Sequence, residues 1–363
     1  MTQKKVIGII GLGLIGGSIA RALKRKNNYV IYAYDRQETY LKSALKDGII
    51  DKSCSIDELN SCDIVFVCVP VYIMEQVLTK IMPVLKPHCI LTDVGSTKGD
   101  VASLVYKLGI DDRFIGGHPL AGSEKHGYEA SKANLFENAF YCLTPFSKTR
   151  KKDIEILKAV ISDMGAIPLE MTPEIHDRVT AAISHVPHVI AALLVNLVGK
   201  LDCEDNLMKT IAAGGFKDIT RIASSSPDLW AGICLSNKDV ILEILSQFSE
   251  IFNEFKGYLK NEQKDNIVQF FHSAKSLRDN LPDGKSLIQK TYNITVDVED
   301  KPGIIAVIAS ALAKENINIK NIGILNIRET EEGALRIEFE DQEEREKGLN
   351  VLRTLGYKAR EVE

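Results

Sequence analysis

The sequence has 363 residues, 45% of them hydrophobic, enough for two or three domains with proper cores. A formal net charge of −4, a pI near 6.1 and the lack of any long basic run interleaved with aromatics argue against a nucleic-acid partner. Any anionic substrate must therefore be met by a few local cations. The seven cysteines (Cys54, Cys62, Cys68, Cys89, Cys142, Cys203 and Cys234) are scattered without a C-x-x-C or a paired-ligand spacing. Cys68 and Cys89 lie in apolar strand-like runs and read as small core residues, which fits a reducing cytoplasm, with no metal site. No uninterrupted apolar stretch reaches membrane-spanning length, and the N-terminal lysines lead into a glycine turn rather than a cleavage site, so neither membrane nor leader is expected.

The first element is a short buried strand, Val6 to Ile10, which runs into GLGLIGGS and then a helical stretch. This is G-x-G-x-x-G in its proper setting. Gly11 permits the tight turn, Gly13 lets a pyrophosphate approach the backbone, and Gly16 lets helix and strand pack closely. The turn from Gly11 through Gly13, Leu14 and Ile15 to Gly16 is the candidate cofactor cradle. A second apolar run, Tyr29 to Tyr34, ends in Asp35, about 20 residues beyond the motif, where an acid binds the ribose hydroxyls and repels a 2′-phosphate. That favours NAD over NADP, with Arg36 beside it as a moderating cation.

The alternation continues with a helix at Glu38 to Lys46, a strand at Asp63 to Val69 stopped by Pro70, a helix from Tyr72 to Leu85, and a strand at Cys89 to Val94. Strands alternating with helices predict a doubly wound parallel sheet, an α/β fold that binds ligands at the carboxyl ends of its strands. Ser96 and His118 both fall at such ends. Two readings of Ser96 are open: a hydroxyl that bonds the nicotinamide or the substrate, or the cap of the following helix. His118 lies in IGGHPLAGSEKHG, where Pro119 disfavours a helical conformation for it and the flanking glycines let a ligand or another segment come close. A fixed, approachable imidazole suits a proton acceptor near neutral pH; a solvated turn is the other reading. Strands at Phe140 to Leu143 and Ala166 to Leu169, with a helix at Lys151 to Met164 between them, close a first domain at residues 1–171.

From residue 172 to 282 the pattern is helical almost throughout. Thr172-Pro173-Glu174 opens a helix with a cap, a proline in the first turn and an acid at the positive end of the dipole. The segment beyond Val186 is too apolar for a surface helix and should be buried, plausibly between subunits; Pro187 should kink or divide it. His185 and His188 can share one face, either as a weak metal pair or as core histidines bonded to the backbone. Further on, Gly214, Gly215 and Asp218 precede Arg221, a guanidinium suited to clamping a carboxylate or, at helical spacing, to pairing with Asp218. Trp230, the only tryptophan, reads as a core or interface anchor.

After a polar linker around Gly284 and Lys285, residues 290–363 form a third domain. A strand at Tyr292 to Val298, a helix after Gly303, strands at Ile317 to Ile327 and Ala334 to Phe339, a helix at Gln342 to Leu355 and a last short strand make a βαββαβ, ferredoxin-like order. A separate module far from the cofactor motif reads as regulatory.

Taken together, GLGLIGGS, TDVGSTK, GGHPLAGSEKHG, ISHVPH and GGFKDITRIA, in this order over the whole chain, resemble the prephenate dehydrogenase family of tyrosine biosynthesis, and the C-terminal DKPG module resembles an ACT domain. The resemblance implies a dinucleotide-binding domain, an all-helical dimerisation domain and a ferredoxin-like regulatory domain. It also implies oxidative decarboxylation of prephenate to 4-hydroxyphenylpyruvate with NAD by a cytoplasmic homodimer. By matching motifs, His118 would accept the proton of the ring 4-hydroxyl with Ser96 assisting, and His185 and Arg221 would hold the substrate's carboxylate side. Glu124 and Asp218 would order the mouth of the site, and Gly214 to Asp218 could come from the neighbouring subunit. Tyrosine would bind near Asp300, Pro302 and Gly303 or Asn318 to Asn321 and inhibit; a module that only joins subunits is the other reading. Arogenate as substrate is the main functional alternative, and an NAD-binding redox sensor is the alternative from another class.

Overall fold

The computed structural model describes residues 4–123, 125–202, 206–281, 292–299, 301–325 and 332–362. It divides between His272 and Ser273 into two compact units.

The first unit opens with an eight-stranded sheet. Its strands are β1 (Lys5–Ile10), β2 (Tyr29–Tyr34), β3 (Lys52–Ser53), β4 (Ile64–Val67), β5 (Ile90–Asp93), β6 (Phe114–Pro119), β7 (Phe140–Pro145) and β8 (Ile167–Glu170), in spatial order β3-β2-β1-β4-β5-β6-β7-β8. Helices α1 (Leu14–Lys24), α2 (Glu38–Lys46), α3 (Val71–Ile81), α4 (Gly99–Leu108) and α5 (Lys151–Asp163) make the crossovers. One apolar cluster packs α1, α2 and α5 on one face through Ile19, Leu23, Leu41, Leu157 and Ile161; another packs α3 and α4 on the opposite face through Met74, Leu78, Val101 and Val105. The chain leaves β1 toward β2 on one side and returns to β4 on the other, so the crevice of the doubly wound sheet opens beside the glycine turn.

Two details depart from the sequence expectations. The third helix ends at Ile81 rather than Leu85, because Pro83 has no N–H to continue it. The sheet is not parallel throughout: β7 runs antiparallel to β6, pairing Cys142 with His118. Among the described residues, the connection between these two strands holds only a short 3-10 turn at Tyr128–Ala130, and a parallel return would need a longer helical crossover.

The helical part follows as α6 (Pro173–Thr180), a π-turn at Ala181–His185, α7 (Val186–Leu201), α8 (Leu207–Ile211), α9 (Gly214–Thr220), a 3-10 turn at Arg221–Ser224, α10 (Pro227–Ser236), α11 (Lys238–Lys260) and α12 (Lys264–Asp279). Thr172 caps α6 as expected, its side chain accepting from the Ile175 amide at 3.3 Å. Pro187 does not divide the segment. The π-turn immediately before it absorbs the missing hydrogen bond and carries the helix on to Leu201. An 18-residue window within Pro173–Leu201 has a mean hydropathy of 1.8, so this helix is long and apolar enough to cross a membrane by length and composition, but it is not one uninterrupted apolar stretch, since Glu174, Asp177 and Arg178 lie in it. Nor is it buried within the chain: Leu193, Leu197 and Leu201 are all more than half exposed. The core beneath these helices is small, formed by buried Ala181, Val186 and Ile241.

The second unit holds β9 (Tyr292–Glu299), α13 (Ile304–Lys314), β10 (Asn321–Leu325), β11 (Glu332–Phe339), α14 (Gln342–Thr354) and β12 (Lys358–Val362). The sheet is antiparallel in the order β10-β11-β9-β12, the ferredoxin-like arrangement, with α13 and α14 packed through Ile308, Leu312, Leu349 and Leu352 on Ile294, Val296 and Ile337. Gly303 precedes α13 with φ +89°, and Asn318 and Asn321 are exposed beside and at the start of β10. Asp300, the linker around Gly284 and the end of the strand expected to reach Ile327 lie outside the described residues.

A Cβ on Gly16 would collide with the carbonyl oxygen of Gly11. Gly16→Ala is therefore expected to destabilise the first unit by about 1–3 kcal/mol, read as a lowered midpoint in thermal unfolding.

Candidate active site

At the carboxyl end of β1, where the sheet's crevice opens, Gly11 adopts φ +96° and a Cβ there would strike the carbonyl oxygen of Cys68. Gly13 differs: nothing lies within 4 Å of where its Cβ would be, so the turn is open on the side a ligand would approach. Helix α1 begins here, at Leu14 and Ile15, with no side-chain cap and no acid in its first turn, which leaves its amides and the positive end of its dipole for a phosphate. Asp35 follows β2. Its carboxylate accepts from the Leu12 amide at 2.6 Å and the Gln37 amide at 2.7 Å, which ties the acid to the glycine turn while each oxygen keeps a further lone pair. These residues fit a dinucleotide with free ribose hydroxyls.

Across the crevice, His118 stands near the end of β6, partly exposed. Its Nδ1 lies 2.8 Å from Nε2 of His176, a fully buried ring on α6, and His176 Nδ1 lies 2.7 Å from Oδ1 of Asp177. The same carboxylate accepts from the amides of Lys98 and Gly99, each at 2.7 Å. Asp177 therefore caps α4 from another helix. Lys98 is the N-cap residue and its own side chain makes no cap bond, so the reading of Ser96 as the cap of α4 gives way; Ser96 stays half-buried in the loop after β5.

The Lys98 side chain turns inward to a buried ion pair with Asp93, Nζ to Oδ2 at 2.5 Å, both groups essentially without exposure. Asp93 also accepts from the Gly95 amide at 2.8 Å and, through Oδ1, from the Gly117 amide at 2.9 Å. The pair thus fixes the backbone on which His118 rides. On the other side, Asn237 donates to the Asp177 carbonyl at 2.8 Å and sits 3.2 Å from Nδ1 of buried His185. His188 stacks on Trp230 with ring centroids 3.8 Å apart, and its Nδ1 meets the Ser184 carbonyl at 2.9 Å, the backbone-bonded alternative raised for it. Among the described residues no three His, Cys, Asp or Glu side chains are grouped to hold a metal ion.

Burial drives the His118 imidazole well below the usual histidine range, and the neighbouring His176, Lys98 and His185 push it the same way. Burial also pushes His185 down to about 4, against the opposing pull of Asp177 and with His176 and His188 adding to the fall. Both rings are therefore neutral at physiological pH. For Asp177, burial opposes ionisation, but the bonds from His176 and from the Lys98 and Gly99 amides outweigh it and hold the carboxyl below its ordinary value.

The structure thus brings His118 and His185 into one network and sets Ser96 beside it. Gly214 and Asp218 on α9 and Arg221 at the following 3-10 turn are exposed, on a segment that packs against α7. Glu124 lies outside the described residues. Sequence reasoning missed Asp93, Lys98, His176, Asp177 and Asn237. Asp93 and Lys98 stand in the same TDVGSTK stretch as Ser96, and His176-Asp177 directly follows the Thr172 cap, but only folding shows that these side chains turn toward His118.

Residues 19–169 match the family model for the prephenate dehydrogenase nucleotide-binding domain, 172–273 the prephenate dehydrogenase dimerization domain, and 294–357 an ACT domain like that of the AHAS small subunit. The chain is 41% identical over 354 residues to the prephenate dehydrogenase of Bacillus subtilis, covering 95% of each. The chain belongs to the prephenate dehydrogenase family. Among solved structures, prephenate dehydrogenase from A. aeolicus in complex with hydroxyphenyl propionate and NAD+ superposes with a TM-score of 0.72 at 35% identity, covering 77% of this chain and 99% of that one. Arogenate dehydrogenase from Synechocystis gives 0.69 at 30% identity, covering 76% and 99%. The family's nucleotide-binding model thus runs from Ile19 within α1 through β2 with Asp35 and His118, the glycine turn lying just ahead of the match, whereas its dimerization model begins at the cap of α6 and takes in His176, Asp177 and His185.

Removing the cation of the buried pair would strand the charge of Asp93. Lys98→Met is expected to cost about 3–5 kcal/mol of stability, measured by urea unfolding.

Proposed function

We propose that this chain is an NAD-dependent prephenate dehydrogenase that oxidises and decarboxylates prephenate to 4-hydroxyphenylpyruvate in the cytoplasm. The observation that carries the reading is a neutral imidazole, His118, at the carboxyl end of β6 and on the same crevice as an open glycine turn, in a chain 41% identical to a prephenate dehydrogenase over nearly its whole length.

The chemistry asks for three things. The hydrogen on the carbinol carbon must be held against the cofactor, the hydroxyl proton must have an acceptor, and the side-chain carboxylate must meet a cation. Bound NAD supplies the hydride acceptor. His118 accepts the hydroxyl proton as the ring carboxylate leaves as carbon dioxide and the ring becomes aromatic, which supplies the driving force. Ser96, on the adjoining loop, orients that hydroxyl. His185 and Arg221 take the side-chain carboxylate, and Glu124 with Asp218 orders the mouth. Gly11, Gly13, Leu14, Ile15 and Gly16 receive the pyrophosphate, and Asp35 the ribose.

The exposed apolar side chains of α7 and the small core beneath them support a homodimer formed through the helical part, with the Gly214 to Asp218 segment reaching a neighbour's site. The 30% identity to an arogenate dehydrogenase supports a second reading in which arogenate is the substrate. In the C-terminal unit, the left-handed Gly303 before α13 supports binding of an amino-acid carboxylate at the helix start, near Pro302 and alongside Asn318 and Asn321, with tyrosine as the inhibitor.

Initial rates of NADH formation with prephenate and with arogenate, each with NAD and NADP, test the reaction. Turnover of prephenate with NAD is expected to be fastest, and no turnover of either acid would refute the assignment. His118→Asn is expected to lower kcat by about 100-fold or more. Because the His118 pKa is depressed, its neutral, proton-accepting form persists as pH falls from neutrality. The acid limb of kcat/KM should therefore lie below pH 6.5. A chain ending after Leu281 is expected to keep activity and lose sensitivity to tyrosine; unchanged inhibition would remove the C-terminal unit from regulation.

A further inference from the structure

We propose that His176 and Asp177 are positioning residues that place the proton of His118 on Nδ1 and so keep its Nε2 as the lone-pair acceptor for the substrate hydroxyl. The inference rests on His118 as the proton acceptor and extends that reading inward.

One row of hydrogen bonds leads from the start of α4 to His118. The Asp177 carboxylate accepts from the amides of Lys98 and Gly99, each at 2.7 Å, and lies at the positive end of α4. An ionised carboxylate can only accept, so the 2.7 Å contact with His176 requires the proton on His176 Nδ1. In the neutral ring, Nε2 of His176 is then a lone pair. The 2.8 Å contact with His118 therefore requires the proton on His118 Nδ1, which leaves Nε2 of neutral His118 bare. Each ring nitrogen is assigned by the one before it, and the row begins at a backbone-held negative charge.

The surroundings reinforce this order. The charged and titratable groups around His118 are Lys98 from the start of α4, Asp93 from β5, His176 and Asp177 from α6, and His185 from the π-turn. Lys98 is neutralised by Asp93, so the carboxylate of Asp177 is the negative charge that can answer a proton arriving at His118. When the substrate hydroxyl gives its proton to Nε2, the Nδ1 proton can pass to Nε2 of His176. The positive charge then rests on a buried imidazolium against the Asp177 carboxylate, away from the departing hydride.

Asp177→Asn removes the charge at which the row begins. In the wild type Oδ1 faces both His176 and the Lys98 amide while Oδ2 accepts from the Gly99 amide, so a single amide oxygen keeps only part of the α4 cap and no longer dictates which His176 nitrogen carries the proton. The test is a long-range proton–nitrogen correlation spectrum of the full-length, NAD-bound protein labelled with 15N-histidine, with the His118 signals identified by their loss in His118→Asn. The wild type is expected to show neutral His118 protonated at Nδ1, and Asp177→Asn to lose that single tautomer, with kcat lowered by about 100-fold and KM for NAD unchanged. Wild-type His118 protonated at Nε2 would overturn the proposal whether or not the variant folds. So would a folded Asp177→Asn enzyme with wild-type kcat. Full activity in His118→Asn would instead remove the underlying proton-acceptor role, while the tautomer spectrum would stand as read.

Discussion

The carboxylate of Asp177 at the start of α4 is the interaction on which the site depends. It joins a helix of the dimerization part to a helix of the nucleotide-binding part, through two backbone amides that a helix N-terminus leaves without partners. Because those amides are fixed by α4, the carboxylate is fixed, and the His176 ring that bonds to it is fixed in turn. An exposed ion pair between the same two halves would be worth little and would leave the imidazole free to rotate. A buried carboxylate with three donors does not have that freedom.

The second constraint is the Asp93–Lys98 pair. Burying two charges is costly, and an apolar pair of the same volume could hold the strand ends together as well. What the charges add is direction: Asp93 reaches the Gly117 amide one residue before His118 and the Gly95 amide one residue before Ser96. Both candidate groups of the reaction thus stand beside backbone positions tied to one carboxylate. Gly117 is required by the same crowding, since a Cβ there would press on Thr92 and the Tyr141 ring.

The helical part is built differently. Its buried core is slight and its apolar side chains face outward along α7, α11 and α12, among them Leu197, Phe252 and Phe271. A surface of that kind is stable when another protein surface covers it, which is the physical content of a dimerization domain. The composition that such an interface needs also makes the helix Pro173–Leu201 apolar enough to cross a membrane.

The sequence by itself determined the architecture of the sheet, the cofactor turn and the family. Strand and helix periodicity, the φ > 0 demand met by glycine at Gly11, and the acid after β2 are local properties, set within a few residues or one βαβ unit. The candidate base His118 was legible too, because Pro119 and the flanking glycines mark it locally. Tertiary structure alone decided what holds that base. His176, Asp177, Lys98 and Asp93 lie up to 84 residues apart along the chain, and no spacing rule links a capping carboxylate on one helix to the amides of another. It also decided the antiparallel turn of β7, and that Pro187 would be carried through by a π-turn rather than divide its helix. Each is a choice between alternatives of similar local energy, settled by packing against segments distant in sequence.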